Sequence, residues 1–228
     1  MSPTLSLATR ALRGFLWNGS ASAIQLCTML ALYWLLPIDK LGHFEWVLTI
    51  VMFLAMLGDL GLSAALVQLK DANDAHFDTA FWTNLVWGLL ITGCIFTATP
   101  ILAALLGGED PETFARVMYI FCLLIPFASV SGLFRARLQR DLDFSAIALS
   151  ELVSVLTFGL SVSLLFLLRS DLGVLVPVFA SVCREAGLLC SLAFSARWRP
   201  RARFQPSTLR QLLSFALNFT GSRAVAYT

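Results

Sequence analysis

Long stretches without a charged residue are the feature that most restricts how this chain can fold. A hydrocarbon core of about 30 Å is crossed by about 20 helical residues, because each residue adds about 1.5 Å. Four charge-free runs approach or exceed this length: residues 14–36, 79–108, 117–134 and 152–168. The chain is 58% hydrophobic and 13% charged, whereas about a quarter of a soluble domain is charged. The sequence therefore predicts a membrane protein.

Three further apolar segments contain isolated charges. Residues 44–68 contain Asp59, residues 172–196 contain Arg184 and Glu185, and the segment from 209 to the end contains Arg223. Continuously apolar runs favour helices over a barrel, whose strands alternate over about ten residues. The predicted fold is an all-α membrane protein. It has a six-helix transmembrane lobe in residues 1–206 and the first helix of a second lobe in residues 207–228.

The end of the chain repeats part of its beginning. The stretch RALRGFLWNGSAS, which starts at Arg10, and the stretch RQLLSFALNFTGS, which starts at Arg210, share five of thirteen positions. Six crossings return the chain to its starting side, so a seventh helix has the orientation of the first. This pattern predicts a parallel six-plus-six repeat, an architecture of transporters. The chain is therefore expected to be the first part of a longer protein.

Lys and Arg in short loops predict a cytoplasmic N-terminus. In this orientation only Lys40, Arg116 and Arg169 lie outside. Eleven basic residues lie inside: Arg10, Arg13, Lys70, Arg135, Arg137, Arg140, Arg197, Arg199, Arg201, Arg203 and Arg210. The basic stretch at residues 197–204 is then a cytoplasmic anchor beside a span. No nucleic-acid partner is predicted.

Five charged residues fall inside the predicted spans, at depths of roughly 10 to 20 Å from the cytoplasmic helix ends. They are Asp59, Glu151, Arg184, Glu185 and Arg223. A charge in hydrocarbon is unfavourable unless it is paired or faces a water-filled cavity. The common depth indicates a polar cavity that opens to the cytoplasm. The alternative is a structural lock in which Arg184 pairs with Glu151 and binds nothing.

Asp59 is flanked by Gly58 and Gly61. These glycines would let another backbone approach closely or let the helix loosen, and either would help to satisfy a buried carboxylate. Asp59 is predicted to be a structural charge, or a proton or cation site coupled to transport. Pro100, Pro126 and Pro177 fall within or at the ends of predicted spans, and prolines in membrane helices often mark kinks.

Motifs of catalysis are absent from the sequence. There is no GxSxG, P-loop or HExxH pattern, and the five cysteines lack zinc or redox spacing. No catalytic residue, metal or cofactor is predicted. A membrane glycosyltransferase or polysaccharide polymerase would need a sizeable outward loop with clustered Asp, His or Arg. The longest outward loop here, residues 107–116, is too short.

Five segments carry a family resemblance: GDLGLSAALVQLKD from Gly58, FWTNLVWG from Phe81, LQRDLDFSAIALSELVS from Leu138, RWRP from Arg197 and LLSFALNFTGSRAVAY from Leu212. In order and spacing the chain resembles the polysaccharide biosynthesis and export proteins, which are oligosaccharide-lipid flippases. This family belongs to the superfamily of the multidrug and toxin extrusion (MATE) transporters. The resemblance implies a two-lobed MATE-like fold, with multiple passes through the bacterial cytoplasmic (inner) membrane. It also implies that a polyprenyl-pyrophosphate-linked oligosaccharide or polysaccharide precursor moves across this membrane by alternating access.

The resemblance also implies partners and site residues. The partners would be the lipid-linked oligosaccharide, membrane lipids, a polysaccharide polymerase and glycosyltransferases. Arg184 and Arg223 would bind the pyrophosphate and glycan, while Asp59, Glu151 and Glu185 would couple an ion or form charge pairs. The alternative is a MATE-type multidrug or small-cation antiporter, which an acidic and aromatic cavity would favour.

Overall fold

The computed structural model describes residues 3–35, 38–108, 110–168, 172–214 and 216. These ranges contain helices joined by turns and loops and no β-strand. The helices are α1 Pro3–Leu35, α2 Ile38–Gly58, α3 Leu62–Gln68, α4 Asp74–Leu106, α5 Pro111–Phe121, α6 Leu124–Arg140, α7 Phe144–Leu168 and α8 Leu175–Ser195. A further helical segment covers residues 206–214.

Membrane-spanning helices account for most of the described chain. Five stretches are long and apolar enough to cross a bilayer: Phe15–Trp34, Asp74–Leu106, Pro111–Arg140, Phe144–Leu168 and Leu175–Ser195. They correspond to five of the six spans predicted for the first lobe. The remaining one, residues 44–68, contains most of α2, whose apolar stretch Phe44–Ala55 is shorter than the other five. The all-helical, membrane-spanning character is therefore confirmed, and the six-helix lobe stays a prediction.

The second predicted span is interrupted at Asp59. Helix α2 ends at Gly58 and helix α3 starts at Leu62. Between them, Leu60 and Gly61 have positive φ angles of 50° and 71°, a left-handed conformation that ends a right-handed helix. The predicted continuous span is thus two helices with a break in the backbone.

The fourth predicted span is also interrupted. Helix α5 ends at Phe121 and helix α6 begins at Leu124. Pro126 lies just beyond this break and has no N–H with which to continue a helical hydrogen-bond ladder. The Thr92 hydroxyl of α4 donates to the Cys122 carbonyl at 3.0 Å, and thereby satisfies an oxygen at the break. Of the three prolines that indicated kinks, Pro126 lies next to a helix break, whereas α4 continues through Pro100.

Helix α6 is the central element of the bundle. It contacts α2, α3, α4, α5, α7 and α8. In the stretch formed by α5 and α6, 61% of the 18 most apolar consecutive residues are buried, compared with 11% in α1. Helix α1 packs against α7 and leaves Leu26, Leu30 and Trp34 exposed. Such apolar exposure is expected where helices face lipid.

Three basic segments meet at one end of the bundle. The Arg140 guanidinium donates to the Leu69 carbonyl at 2.6 Å and so joins the α6–α7 turn to the end of α3. The Trp198 indole donates to the buried Asp78 carboxylate at 3.1 Å and so joins the segment after α8 to the start of α4. The loops that the positive-inside rule grouped together are therefore neighbours. Which side of the membrane this end faces stays a prediction.

Candidate functional site

The structure divides the predicted site residues between two polar clusters. Glu151 in α7 lies with Arg184 and Glu185 in α8. Asp59, at the break between α2 and α3, belongs to a different hydrogen-bonded network. Arg223 lies outside the described residues.

The first cluster gains a member from α6. The Arg135 guanidinium donates to the Glu151 carboxylate across the α6–α7 interface. Glu185 is buried, with 9% of its surface exposed, and the charges that act on it are those of Arg184, Glu151 and Arg135. These four residues form what we call the charge cluster. The sequence offered Arg184 as the partner of Glu151, but the structure pairs Glu151 with Arg135.

Close packing of α7 on α8 brings their charged residues together. A Cβ added at Gly187 would meet Thr157 Oγ1 at 2.9 Å, so the two helices approach each other through a glycine. One turn further along, the Ser191 hydroxyl donates to the Ser150 hydroxyl at 3.0 Å. Small residues at this interface therefore let α7 and α8 pack closely, which brings Glu151 near Glu185.

The charge cluster is accessible rather than sealed. The side chains of Arg135 and Glu151 are 37% and 25% exposed, so their ion pair contributes less to stability than a fully buried pair would. Arg184 is partly buried, and its Nε finds no hydrogen-bond partner among the described residues. A guanidinium with unused donors can bind phosphate oxygens in a bidentate manner. The charge cluster therefore has the chemistry of an anion-binding site.

The second cluster is centred on Asp59. Its Oδ1 accepts hydrogen bonds from the Ser63 amide at 3.3 Å, the Ser63 hydroxyl at 2.6 Å and Asn84 Nδ2 at 2.8 Å. The same amide nitrogen of Asn84 donates to the Ser129 carbonyl at 3.1 Å. We call these four residues the Asp59 network. It connects the α2–α3 break to α4 and α6.

Glycines allow the helices to converge on this network. A Cβ at Gly58 would clash with Ser129 Oγ, and one at Gly88 would meet the same atom at 3.0 Å. The backbones of α2 and α4 therefore pass directly over Ser129. Gly61 adopts the left-handed conformation that loosens the chain after Asp59. Of the two roles considered for the glycines beside Asp59, local loosening is seen at Gly61. The close approach at Gly58 is made by side-chain atoms of Ser129 and Ile125 rather than by another backbone.

The Asp59 network contains more acceptors than donors. Asn84 is completely buried, and its Oδ1 has no hydrogen-bond partner in the described part of the chain. Asp59 is part-buried, and all the hydrogen bonds that it receives from described residues go to Oδ1. A buried oxygen without a donor is unfavourable. The network therefore has the chemistry of a cation-binding site.

Sequence reasoning missed four of these residues: Arg135, Ser63, Asn84 and Ser129. Arg135 was assigned to the cytoplasmic boundary, although it and Glu151 lie at similar distances from the turn at residues 141–143. Residues equidistant from the turn of a helical hairpin tend to face each other, and that signal could have indicated the pair. Asn84, a primary amide in an apolar helix, could also have been singled out. Ser129 contributes through its backbone carbonyl, and no sequence signal indicates that.

The described residues include no group of three or more His, Cys, Asp or Glu side chains that could hold a metal ion. Both clusters are built mainly from groups that bind ligands: guanidinium donors in one, and carboxylate, amide and carbonyl oxygens in the other. That the protein is not an enzyme stays a prediction.

Comparison with known proteins identifies relatives along nearly the whole chain. Residues 32–228 match the model of the family described as "Polysaccharide biosynthesis protein". The succinoglycan biosynthesis transport protein ExoT of Rhizobium meliloti is 28% identical over 97% of this chain and 44% of its own length. The teichuronic acid biosynthesis protein TuaB of Bacillus subtilis is 26% identical over 76% of the chain and 35% of its own length. The lipopolysaccharide biosynthesis protein WzxC of Escherichia coli is 23% identical over 67% and 31%.

No solved structure matches significantly. The chain spans less than half the length of each of these three relatives. The family match nevertheless covers most of the chain, in agreement with the motifs around Asp59, Asn84 and Glu151. The chain belongs to the polysaccharide biosynthesis protein family.

Proposed function

We propose that this chain forms the N-terminal part of a flippase that moves polyprenyl-pyrophosphate-linked oligosaccharide or polysaccharide precursors across the bacterial cytoplasmic membrane by alternating access. The observation that carries the proposal is the charge cluster, in which Arg184 keeps an unpartnered Nε within a bundle of apolar helices. A pyrophosphate is a doubly anionic group that such a guanidinium binds well. Family membership points to the same class of substrate.

The relatives' names support a glycan as the transported molecule. One is named a transport protein of succinoglycan biosynthesis, and the others are named for the biosynthesis of teichuronic acid and lipopolysaccharide. Three different polymers are involved, so the shared element is expected to be the lipid carrier and its pyrophosphate. The polymerase and glycosyltransferases of the pathway would then be functional partners.

Arg184 is the residue proposed to contact the pyrophosphate, and Arg223 is proposed to contribute from the second lobe. Glu151 and Glu185 would hold the cluster close to neutral when it is empty, because the cluster contains two basic and two acidic groups. Binding of an anion would replace carboxylate partners of the guanidinium groups. Such an exchange lets the site bind its ligand without leaving an unpaired charge in the membrane.

The proposal assigns residues 1–206 to a first lobe and residues 207–228 to the start of a second. Leu212 and Ala216 are buried in the same apolar cluster as Leu62 and Phe77, which supports a seventh helix that packs on the first lobe. Sequencing of the native gene beyond the codon for Thr228 tests this assignment. About 250 further codons with five or more spans are expected, since the parallel repeat predicts a second lobe of similar size. An immediate stop codon would contradict it.

The transport proposal is tested in a bacterial strain that lacks its own flippase for a defined lipid-linked oligosaccharide. The complete product of the gene is expressed, and surface polymer and accumulated lipid-linked intermediate are measured. We expect Arg184→Ala to abolish polymer export and Arg184→Lys to retain part of it, because Lys keeps the charge but loses the bidentate geometry. Arg116→Ala is the matched control, since Arg116 is exposed and pairs with Glu112 on the same helix.

A double variant separates binding from a structural lock. If Arg184 serves only to balance Glu151, then Arg184→Ala combined with Glu151→Ala should restore export. If Arg184 binds the substrate, the double variant should remain inactive. Restored export would overturn the assignment of Arg184 to the pyrophosphate.

A MATE-type multidrug or small-cation antiporter is the second candidate, and the acceptor-rich surroundings of Asp59 favour it. This function predicts that the complete protein lowers the accumulation of cationic dyes in cells. It also predicts that the protein does not restore polymer export. Measurement of both activities in one strain distinguishes the two functions.

A further inference from the structure

Two oxygen atoms from different helices converge on one point in the Asp59 network. Asn84 Nδ2 lies 2.8 Å from Asp59 Oδ1 and 3.1 Å from the Ser129 carbonyl oxygen. The Ser63 hydroxyl lies 2.6 Å from the same Asp59 oxygen. A small group at the position of the amide nitrogen is therefore within reach of a carboxylate and a backbone carbonyl.

The other half of the Asn84 amide is unsatisfied. Asn84 is 0% exposed, and its Oδ1 lacks a partner among the described residues. Rotation of the amide by a half-turn would bring Oδ1 to the position of Nδ2, where it would face two other oxygens. Three oxygens facing each other repel unless a cation lies between them. The amide can thus fill the site with its nitrogen when no cation is bound and ligate a cation with its oxygen.

We propose that the Asp59 network is a binding site for a monovalent cation, with sodium as the ion to test. Its ligands would be the Asp59 carboxylate, Asn84 Oδ1, the Ser129 carbonyl oxygen and the Ser63 hydroxyl. The break between α2 and α3 makes such a site possible, because interrupted membrane helices present polar backbone and helix ends to ions. The C-terminal end of α2, at Gly58, also favours a positive charge.

The number of charges selects a monovalent ion. Asp59 is the one ionisable side chain of the network, so one positive charge makes the site neutral. A divalent ion would leave an excess charge among apolar helices, which is unfavourable. A proton would neutralise Asp59 as well, but it would need only the carboxyl group. It would leave the buried Asn84 oxygen without a partner.

Sodium binding is a property of this network alone, whereas coupling of sodium to glycan transport rests on the proposed function. The two are measured separately. The complete gene product is purified in detergent, and its thermal unfolding is followed in sodium chloride, potassium chloride and choline chloride at equal ionic strength. Binding of radioactive sodium is measured on the same samples, without any glycan.

We expect a saturable rise of Tm in sodium chloride relative to choline chloride, because a ligand that binds only the folded state stabilises it. Asp59→Asn should lower the sodium affinity at least about tenfold, since it removes the charged ligand. Asn84→Leu should lower it as well, because it removes one of the proposed ligand oxygens. Asp141→Asn is the matched control, since Asp141 is exposed at the end of α6.

Equal Tm values and no bound radioactive sodium in the unmodified protein would overturn the proposal. Sodium binding that is unchanged in Asp59→Asn and Asn84→Leu would overturn it too. If a substitution at Asp59 prevents folding, Ser63→Ala provides the second test, with a smaller expected loss of affinity. Sodium binding without glycan export would leave this site in place and refute the proposed function. Export that is identical in sodium and choline, with no bound sodium, would refute the sodium site and leave the proposed function in place.

Discussion

The charge cluster and the Asp59 network both contain charges within membrane helices, but one has an excess of hydrogen-bond donors and the other an excess of acceptors. The charge cluster has an excess of donors, because Arg184 Nε is without a partner. The Asp59 network has an excess of acceptors, because Asn84 Oδ1 is without one. The first is suited to an anion and the second to a cation.

The two regions also differ in how they are held. One direct ion pair, between Arg135 and Glu151, connects α6 to α7 in the charge cluster, and it is partly exposed. In the Asp59 network, Asn84 joins Asp59 to the Ser129 carbonyl, and glycines bring the backbones together. On the proposed function, the charge cluster would exchange these partners for a ligand. The Asp59 network is a fixed frame in which only the amide of Asn84 has to rotate.

The largest effect on stability is expected from Gly88→Leu, which attacks the frame of the Asp59 network. A Cβ at this position would meet the Pro126 Cα at 3.2 Å and Ser129 Oγ at 3.0 Å. Forcing α4 away from α6 should lower the free energy of unfolding by about 1–3 kcal/mol, as measured by thermal unfolding in detergent. Gly93→Leu, on the same helix and with nothing within 4 Å of its Cβ, should have little effect. Equal effects of the two variants would show that the frame is not rigid.

Arg135→Ala should have the next largest effect, because it leaves Glu151 and Glu185 close together with one fewer positive charge. Breaking a buried ion pair is strongly destabilising, but the exposure of this pair reduces the expected loss to about 1–2 kcal/mol. Arg135→Met combined with Glu151→Leu should recover the lost stability and not the export of polymer. Recovery of both stability and export would mean that the charge cluster is structural and binds no ligand. The two clusters would then no longer differ as an anion site and a cation site.

Ser63→Ala should cost about 1 kcal/mol, the contribution of one hydrogen bond, because Asp59 Oδ1 loses the hydroxyl that donates at 2.6 Å. Asp59 keeps its bond from Asn84, so the network should persist. The expected signature is a small drop of Tm in choline chloride together with a smaller Tm increase on addition of sodium. A drop as large as that of Gly88→Leu would indicate that the hydroxyl, and not the packing of backbones, holds the network.

The smallest effect is expected from Arg116→Ala, which serves as a reference outside both clusters. Arg116 and Glu112 pair along one exposed helix face, with side-chain exposures of 61% and 76%. Such pairs contribute about 0.3–0.5 kcal/mol. Thermal unfolding and polymer export should both stay close to those of the unmodified protein. A loss of export would extend the anion-binding surface towards α5.

Much of the fold follows from the pattern of charges along the chain. The charge-free run at residues 79–108 predicts a helix there, and α4 covers Asp74–Leu106. The glycines beside Asp59 and the proline at 126 indicate where two spans are interrupted. The residues at which these breaks start and end could not be predicted. They depend on which carbonyls find donors from neighbouring helices, as Cys122 does from Thr92.

The candidate sites were predicted in part. Isolated charges in apolar runs singled out Asp59, Glu151, Arg184 and Glu185, because a charge in hydrocarbon needs a partner or a cavity. The partners themselves were not predicted. Arg135 was attributed to the membrane boundary, and Asn84 and Ser129 carry no charge that draws attention to them.

The sequence by itself determined that this chain crosses a membrane as helices, since an apolar run in lipid must satisfy its backbone hydrogen bonds within itself. It also predicted an approximate depth for each charge, because depth follows from counting residues along a helix. Only the tertiary structure decided which charges meet. The direction of a side chain around the helix axis depends on how neighbouring helices pack. That packing joins Glu151 to Arg135 and places Asn84 between Asp59 and Ser129.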